Sequence, residues 1–248
     1  MKVHSFLSLG CADGPGVRSV LFLQGCCLKC AYCHNPDTWF LPGFTEISSR
    51  EIAERVAKYR PYYGKTGGLT VSGGEPLIQA EELTELFSLL SEMKIHRAID
   101  TSGFCPSLSS GVLSRLLSVT GLIICDIKFS DDAGYQRYCN APQGAFERIM
   151  SFLSSVQDAG CDIWIRHVVL PGITDNIEYI SSVFERALAF KSLKRFELLP
   201  FRTLCRQKYE SLRIEFPMKD TPDCTQEKIQ QLYGQIKAGF PAGRDKIP

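Results

Sequence analysis

The sequence has no long apolar run. Nothing in it approaches the roughly 20 residues a membrane helix needs, so a spanning segment is not expected. It also lacks a charge imbalance. Its 28 Lys and Arg against 27 Asp and Glu leave a formal net charge of +1, which gives no global attraction to nucleic acid or to an anionic membrane. There is no stretch rich in Pro, Gly or Ser that would divide the 248 residues, and no low-complexity segment. The start, Met1 to Cys11, has an apolar stretch too short for a lipoprotein signal, and Asp13 and a turn follow at once. No convincing acid–base pair stands out either. What remains is a composition suited to one globular domain, with 44% hydrophobic and 22% charged residues.

Cysteine is the residue in excess. There are 11, an odd number without paired spacing, so reduced thiols in a cytoplasmic protein are expected rather than a disulfide scaffold. Three of them, Cys26, Cys30 and Cys33, form C-x3-C-x2-C on one tight loop. The loop follows the apolar run 19–24 and Gly25, which read as a strand and a turn. Three thiolates so close ligate one metal centre without closing a long loop. Two readings stand: an iron–sulfur cubane with one iron left open, or a structural zinc with His34 as fourth ligand. Zinc usually draws on two separated ligand pairs, which this sequence lacks, and His34 adjoins Cys33. Cys27 falls outside the three-residue spacing.

The rest of the chain alternates strand and helix. Strands are expected within 67–76 and at 97–101, 122–128, 162–170 and 195–199, after the first at 19–24. Helices are expected at 48–59, 79–93, 107–118, 143–159, 176–190 and from 225 to about 238. Ser48 with Glu51 three residues on makes a capping box. Residues 201–224 read as irregular and 239–248 as a tail. Six such units argue for parallel strands with helices outside. They are too few for the eight of a closed barrel.

Parallel barrels place their chemistry at the C-terminal ends of the strands. There the sequence puts Gly73-Gly74-Glu75, Asp100-Thr101, Asp126-Ile127-Lys128, Arg166-His167 and Arg202. Plainer roles stand beside the functional ones. The glycines turn the chain or let backbone approach a ligand, and Asp100 and Asp126 cap the next helices or face a cofactor. Lys128 is a rim lysine or a ligand contact, and His167 a core histidine or a substrate contact.

The triad and its surroundings resemble a known family. C-x3-C-x2-C after a strand is similar to the radical S-adenosylmethionine (SAM) enzymes, and narrower matches resemble the pyruvate formate-lyase activating enzymes. These are Asp13-Gly-Pro-Gly-Val-Arg18, Gln24-Gly-Cys26, Tyr32-Cys-His-Asn35, Asp37-Thr-Trp39, Asp-Ile-Lys128 and Leu-Leu-Pro200, spread over nearly the whole chain. The resemblance implies a partial (β/α)6 TIM-like barrel of the radical SAM type in one domain, 1–248. Its parts are an N-terminal arm at 1–18, a barrel core at 19–200 and a C-terminal extension and helix at 201–248. It implies that Cys26, Cys30 and Cys33 hold a [4Fe–4S] cluster. It places Tyr32, Cys33, His34, Gly74, Asp126, Ile127, Lys128 and Arg202 at SAM, and Asp100 and Thr101 near SAM or a monovalent cation. Asp13, Arg166 and His167 are implied to meet the substrate peptide. The family has Tyr-His where this chain has Phe201-Arg202, which puts the role of position 202 in question.

The implied reaction is reductive cleavage of SAM to a 5′-deoxyadenosyl radical, which takes hydrogen from a glycine of pyruvate formate-lyase. Catalysis then rests on cofactors, with flavodoxin or ferredoxin as electron donor and no protein acid or base. The implied setting is anaerobic cytoplasm, and the expected state a monomer. About 35 residues separate Cys33 from Leu69, too few for the ferredoxin-like insert of several other activases. Two rivals remain at this level: a radical SAM enzyme acting on another glycyl-radical enzyme or on a small molecule, and a non-catalytic zinc-binding interaction protein.

Overall fold

In the computed structural model, which describes residues 1–39 and 43–248, the expected parallel strands are all present. The strands are β1 (Lys2–Gly10), β2 (Arg18–Leu23), β3 (Thr45–Glu46), β4 (Gly68–Gly73), β5 (His96–Thr101), β6 (Leu122–Asp126), β7 (Asp162–Val169) and β8 (Leu193–Pro200). The helices are α1 (Ser49–Ala57), α2 (Arg60–Tyr63), α3 (Ala80–Glu92), α4 (Ser110–Ser118), α5 (Asp132–Cys139), α6 (Ala145–Asp158), α7 (Ile177–Leu188), α8 (Arg206–Leu212) and α9 (Gln226–Gly239). One sheet runs β3-β1-β2-β4-β5-β6-β7-β8. From β2 to β8 every pairing is parallel, and β1 and β3 pair antiparallel at one edge. Among the described residues β3 and β8 are its two ends, so the sheet curls without closing.

Local sequence explains most elements. Ser48 accepts from the Glu51 amide while Glu51 accepts from that of Ser48, so α1 starts at a complete capping box. Leu83, Leu86, Phe87 and Leu90 form the buried stripe of α3 against the sheet. The central strands are buried on both faces, as strands sandwiched between helices and a filled interior must be.

Five elements differ from the sequence reading, the short β3 and α2 and three others. Part of the N-terminal arm is strand β1. Its alternation is inverted, with Leu7 and Leu9 exposed, and so it reads poorly as half-buried. Helix α5 buries only Tyr135 and Cys139, too thin a stripe to see in sequence. Helix α8 is a short turn of chain inside the stretch read as irregular.

Two buried arginines fix the loop between β1 and β2. Arg18 is fully buried; its Nε donates to Thr70 Oγ1 (2.6 Å) and its Nη1 to the Pro15 carbonyl (3.2 Å). Thr70 in turn donates to the Asp13 carbonyl (2.6 Å). From across the barrel, Arg166 Nη2 donates to the Ala12 carbonyl (2.6 Å). Residues 12–15 are therefore tied to β4 and β7 through their main chain.

Candidate active site

The cysteine loop leaves β2 at Gly25, whose φ of +100° only glycine adopts easily. Its course is set by main-chain bonds. The amides of Lys29 and Ala31 donate to the carbonyls of Cys139 (3.1 Å) and Tyr138 (2.7 Å), closing the C-terminal end of α5. On the opposite side the Gly25 carbonyl accepts from the Glu75 amide (2.8 Å). This backbone contact explains Gly74 directly: a Cβ there would lie 2.0 Å from the Gly25 carbonyl oxygen. Gly73 turns the chain at φ +108°. The glycines thus serve loop-to-loop packing, whatever they offer a ligand.

Glu75 was not singled out by sequence for a role of its own. It is buried, and its carboxylate accepts from Thr101 Oγ1 (2.5 Å), Ser102 N (2.9 Å), Ser102 Oγ (2.5 Å) and Leu77 N (3.2 Å). Burial pushes its pKa up to about 7, and these donors pull the other way. The carboxylate joins the loop after β4 to the end of β5. Its partners lie 26 and 27 residues on, beyond the reach of a local motif.

A cavity of about 270 Å³ opens at the C-terminal ends of the parallel strands. It is lined by Cys26, Cys30 and Cys33 together with Tyr32, His34, Gly74, Asp100, Thr101, Asp126 and Lys128. With Gly73, eleven of the residues proposed from sequence for the site therefore share one cavity. Asn35 and Leu199, quoted above only within motifs, also line it, as do Ser72, Ser102 and Val168, which were not singled out. Val168 and Leu199 are register partners, so strand pairing places them side by side.

Burial dominates the electrostatics of this cavity. Burial and the Glu75 carboxylate push the Cys26 thiol up, and burial pushes Cys33 up to about 12. Burial pushes Asp100 up to about 6, with Arg166 opposing and Asp126 adding to the rise. Lys128 lies 3.0 Å from Asp126; burial works against its charge, yet Asp126 and the neighbouring thiols raise its pKa. Three desolvated sulfur donors on one wall suit a thiophilic metal centre, which would stabilise them as thiolates. Among the described residues no three His, Cys, Asp or Glu side chains gather tightly enough for a single metal ion. His34, the fourth ligand of the zinc reading, instead meets the Arg202 carbonyl (2.9 Å).

The remaining residues stand outside the cavity lining. Ile127 is buried, with its amide on the Arg166 carbonyl (3.0 Å). Arg202 turns to Asp223 (3.8 Å) and contributes its carbonyl to His34. Arg166 is engaged by Glu197 (3.0 Å) and Asp100 (3.7 Å). His167 points to the opposite face of β7, with Nδ1 on the Ile127 carbonyl (2.8 Å) and its ring against Tyr179. Asp13 is half-buried in the pinned loop.

Comparisons agree with this layout. The Radical SAM superfamily matches residues 20–182. A pyruvate formate-lyase-activating enzyme of Clostridium pasteurianum is 38% identical over 237 residues, covering 95% of this chain and 97% of the relative. One from Staphylococcus aureus strain USA300 is 36% identical over 246 residues, covering 96% and 97%. Among solved structures, a domain of a pyruvate-formate lyase-activating enzyme from Bacteroides vulgatus superposes with TM-score 0.54 at 21% identity, covering 69% of this chain and 94% of that one. Streptococcus suis SuiB bound to its precursor peptide SuiA superposes with TM-score 0.68 at 13% identity, covering 90% and 45%.

Proposed function

Since the chain belongs to the Radical SAM superfamily, and within it to the pyruvate formate-lyase-activating enzymes, we propose that its cavity is where a [4Fe–4S] cluster and SAM meet a glycine of the partner enzyme. The protein activates pyruvate formate-lyase by generating a glycyl radical on it. One observation carries the assignment of the site: three thiols and the Gly74, Asp126 and Lys128 positions line a single cavity at the strand ends.

In this reading Cys26, Cys30 and Cys33 hold the cluster. The chemistry that cluster and SAM supply when bound is one-electron reduction followed by removal of a hydrogen atom from a glycine Cα. The protein's own part is binding, orientation and exclusion of water. Tyr32 and His34 flank the cluster loop, Gly74 presents backbone, and Lys128 with Asp126 offers an ion pair at the cavity wall. Asp100 and Thr101 hold a monovalent cation beside them, a role supported by two carboxylates facing one cavity. Arg166 and Asp13 meet the substrate peptide through the loop they share, since Arg166 grips the Ala12 carbonyl. Arg202 contributes its backbone carbonyl to orient His34. Ile127 serves by its main chain, and His167 holds the Ile127 carbonyl in place.

The electron donor in this reading is a flavodoxin or ferredoxin, and the chain works as a monomer in the cytoplasm. The odd number of cysteines, eleven without paired spacing, supports the compartment. No helix among the described residues is long and apolar enough to cross a membrane.

Anaerobic electron paramagnetic resonance on reconstituted protein with reductant, SAM and the host's pyruvate formate-lyase tests the reading. A cluster signal that gives way to a carbon-centred doublet on the partner supports it. SAM cleavage without a partner radical rejects the target and keeps the chemistry. Absence of any cluster signal from a reconstituted chain with all three cysteines intact rejects the site.

A further inference from the structure

Beside the three cysteines assigned to the cluster, Cys27 is left unused. It does not line the cavity, and its side chain donates to the Phe104 carbonyl (3.0 Å) in the loop after β5. The next residue is Cys105, whose sulfur lies within reach of the same Cys27 S–H as an alternative acceptor to the Phe104 carbonyl. Both are partly exposed. Cys105 also meets Ser107 Oγ (3.5 Å) and the amides of Ser107 and Leu108, a set of donors that favours a thiolate. Its pKa is lowered to about 6, first by the Cys27 hydrogen bond and then by those donors, against the effect of burial.

We infer that Cys27 and Cys105 are a peroxide-reactive thiol pair, a modification site that forms a disulfide between the cysteine loop and the loop after β5. The Cys105 thiolate attacks one oxygen of hydrogen peroxide. The O–O bond breaks, a sulfenic acid forms on Cys105 and hydroxide leaves, taking a proton to become water. The Cys27 sulfur then attacks the Cys105 sulfur, expelling the second oxygen as water and forming the S–S bond. In total two thiols and one peroxide give one disulfide and two waters. A thiol reductant returns both cysteines.

The structure supplies internal references. Cys11 is exposed, whereas Cys139, which contacts Cys30 and not Cys27, is fully buried. A test uses the reconstituted holoenzyme. One equivalent of hydrogen peroxide is added anaerobically, free thiols are blocked with N-ethylmaleimide, and the non-reduced digest is mapped by mass spectrometry. Fragment ions distinguish Cys27 from the adjacent Cys26. The expected product is a Cys27–Cys105 linked peptide, formed at least about tenfold faster than oxidation of Cys11, as its thiolate character requires. The link disappears in Cys27→Ser and in Cys105→Ser and is reversed by dithiothreitol, while Cys139 stays blockable only after unfolding. The inference is overturned if the pair oxidises no faster than Cys11, if Cys105 proceeds to sulfinic acid without a link, or if Cys27 links to another cysteine. The wild-type digest decides these outcomes, so a variant that fails to fold leaves the test intact.

Discussion

At the scale of single residues, buried polar groups decide more than the exposed ones. His167 is 1% exposed, and its Nε2 has no hydrogen-bond partner among the described residues. Burial lowers its pKa from 6.5 to about 4. The unfolded chain therefore binds more protons than the native one between pH 6.5 and about 4, and the stability this neutral histidine permits is lost as pH falls through that window. Asp100 and Glu75, both raised, act in the opposite sense over part of the same range. The clean readout is thus a difference. The urea midpoint of His167→Gln should fall less than that of wild type on going from pH 6.5 to 4.5, with the two curves parallel above pH 7. Parallel curves throughout would show that His167 titrates normally. The same scale shows what sequence can carry. Cys26, Cys30 and Cys33 announce themselves because their ligand chemistry is local. Glu75 does not, because its meaning lies in hydroxyls that only the fold brings near.

At the scale of elements, the cysteine loop and α5 form one unit. The loop amides cap the helix, and the helix carbonyls hold the loop. Asn140 ends α5 in the left-handed region at φ +52°. Replacing it with a β-branched residue should cost about 1–2 kcal/mol, whereas glycine should be nearly neutral. We expect Asn140→Val to lower both thermal stability and the iron retained after reconstitution, with Asn140→Gly close to wild type. Equal iron content in the two variants would separate the loop from the helix. Helix α5 itself was illegible in sequence, since two buried side chains give no amphipathic stripe. The parallel strands were legible because they are short apolar runs bounded by glycine or proline, such as Leu69–Val71 before Gly73. Strand β1 was not, because its exposed leucines invert the usual pattern.

At the scale of the whole molecule, Arg166 joins parts that are far apart in the chain. It links β7 to Asp100 on β5, to Glu197 on β8 and to the loop at Ala12, 154 residues away. Removing it leaves two mostly buried carboxylates without their shared cation. Arg166→Ala should cost about 3 kcal/mol. It should also raise amide hydrogen exchange selectively across residues 12–16, measured by mass spectrometry. Unchanged exchange there, with stability reduced, would limit Arg166 to holding the strands. The open sheet also belongs to this scale. The count of six parallel strands was readable from the alternation, whereas the antiparallel edge made by β1 and β3 follows from long-range pairing that no local pattern encodes.

The grip between the cysteine loop and α5 passes through main-chain atoms at residues 29, 31, 138 and 139. Such a contact is blind to side-chain identity and sensitive to spacing. The two amide bonds themselves therefore survive any non-proline substitution at these positions, provided the number of residues between the thiols is kept. A single inserted or deleted residue shifts every donor off its acceptor. The loop should thus be a place whose length never changes.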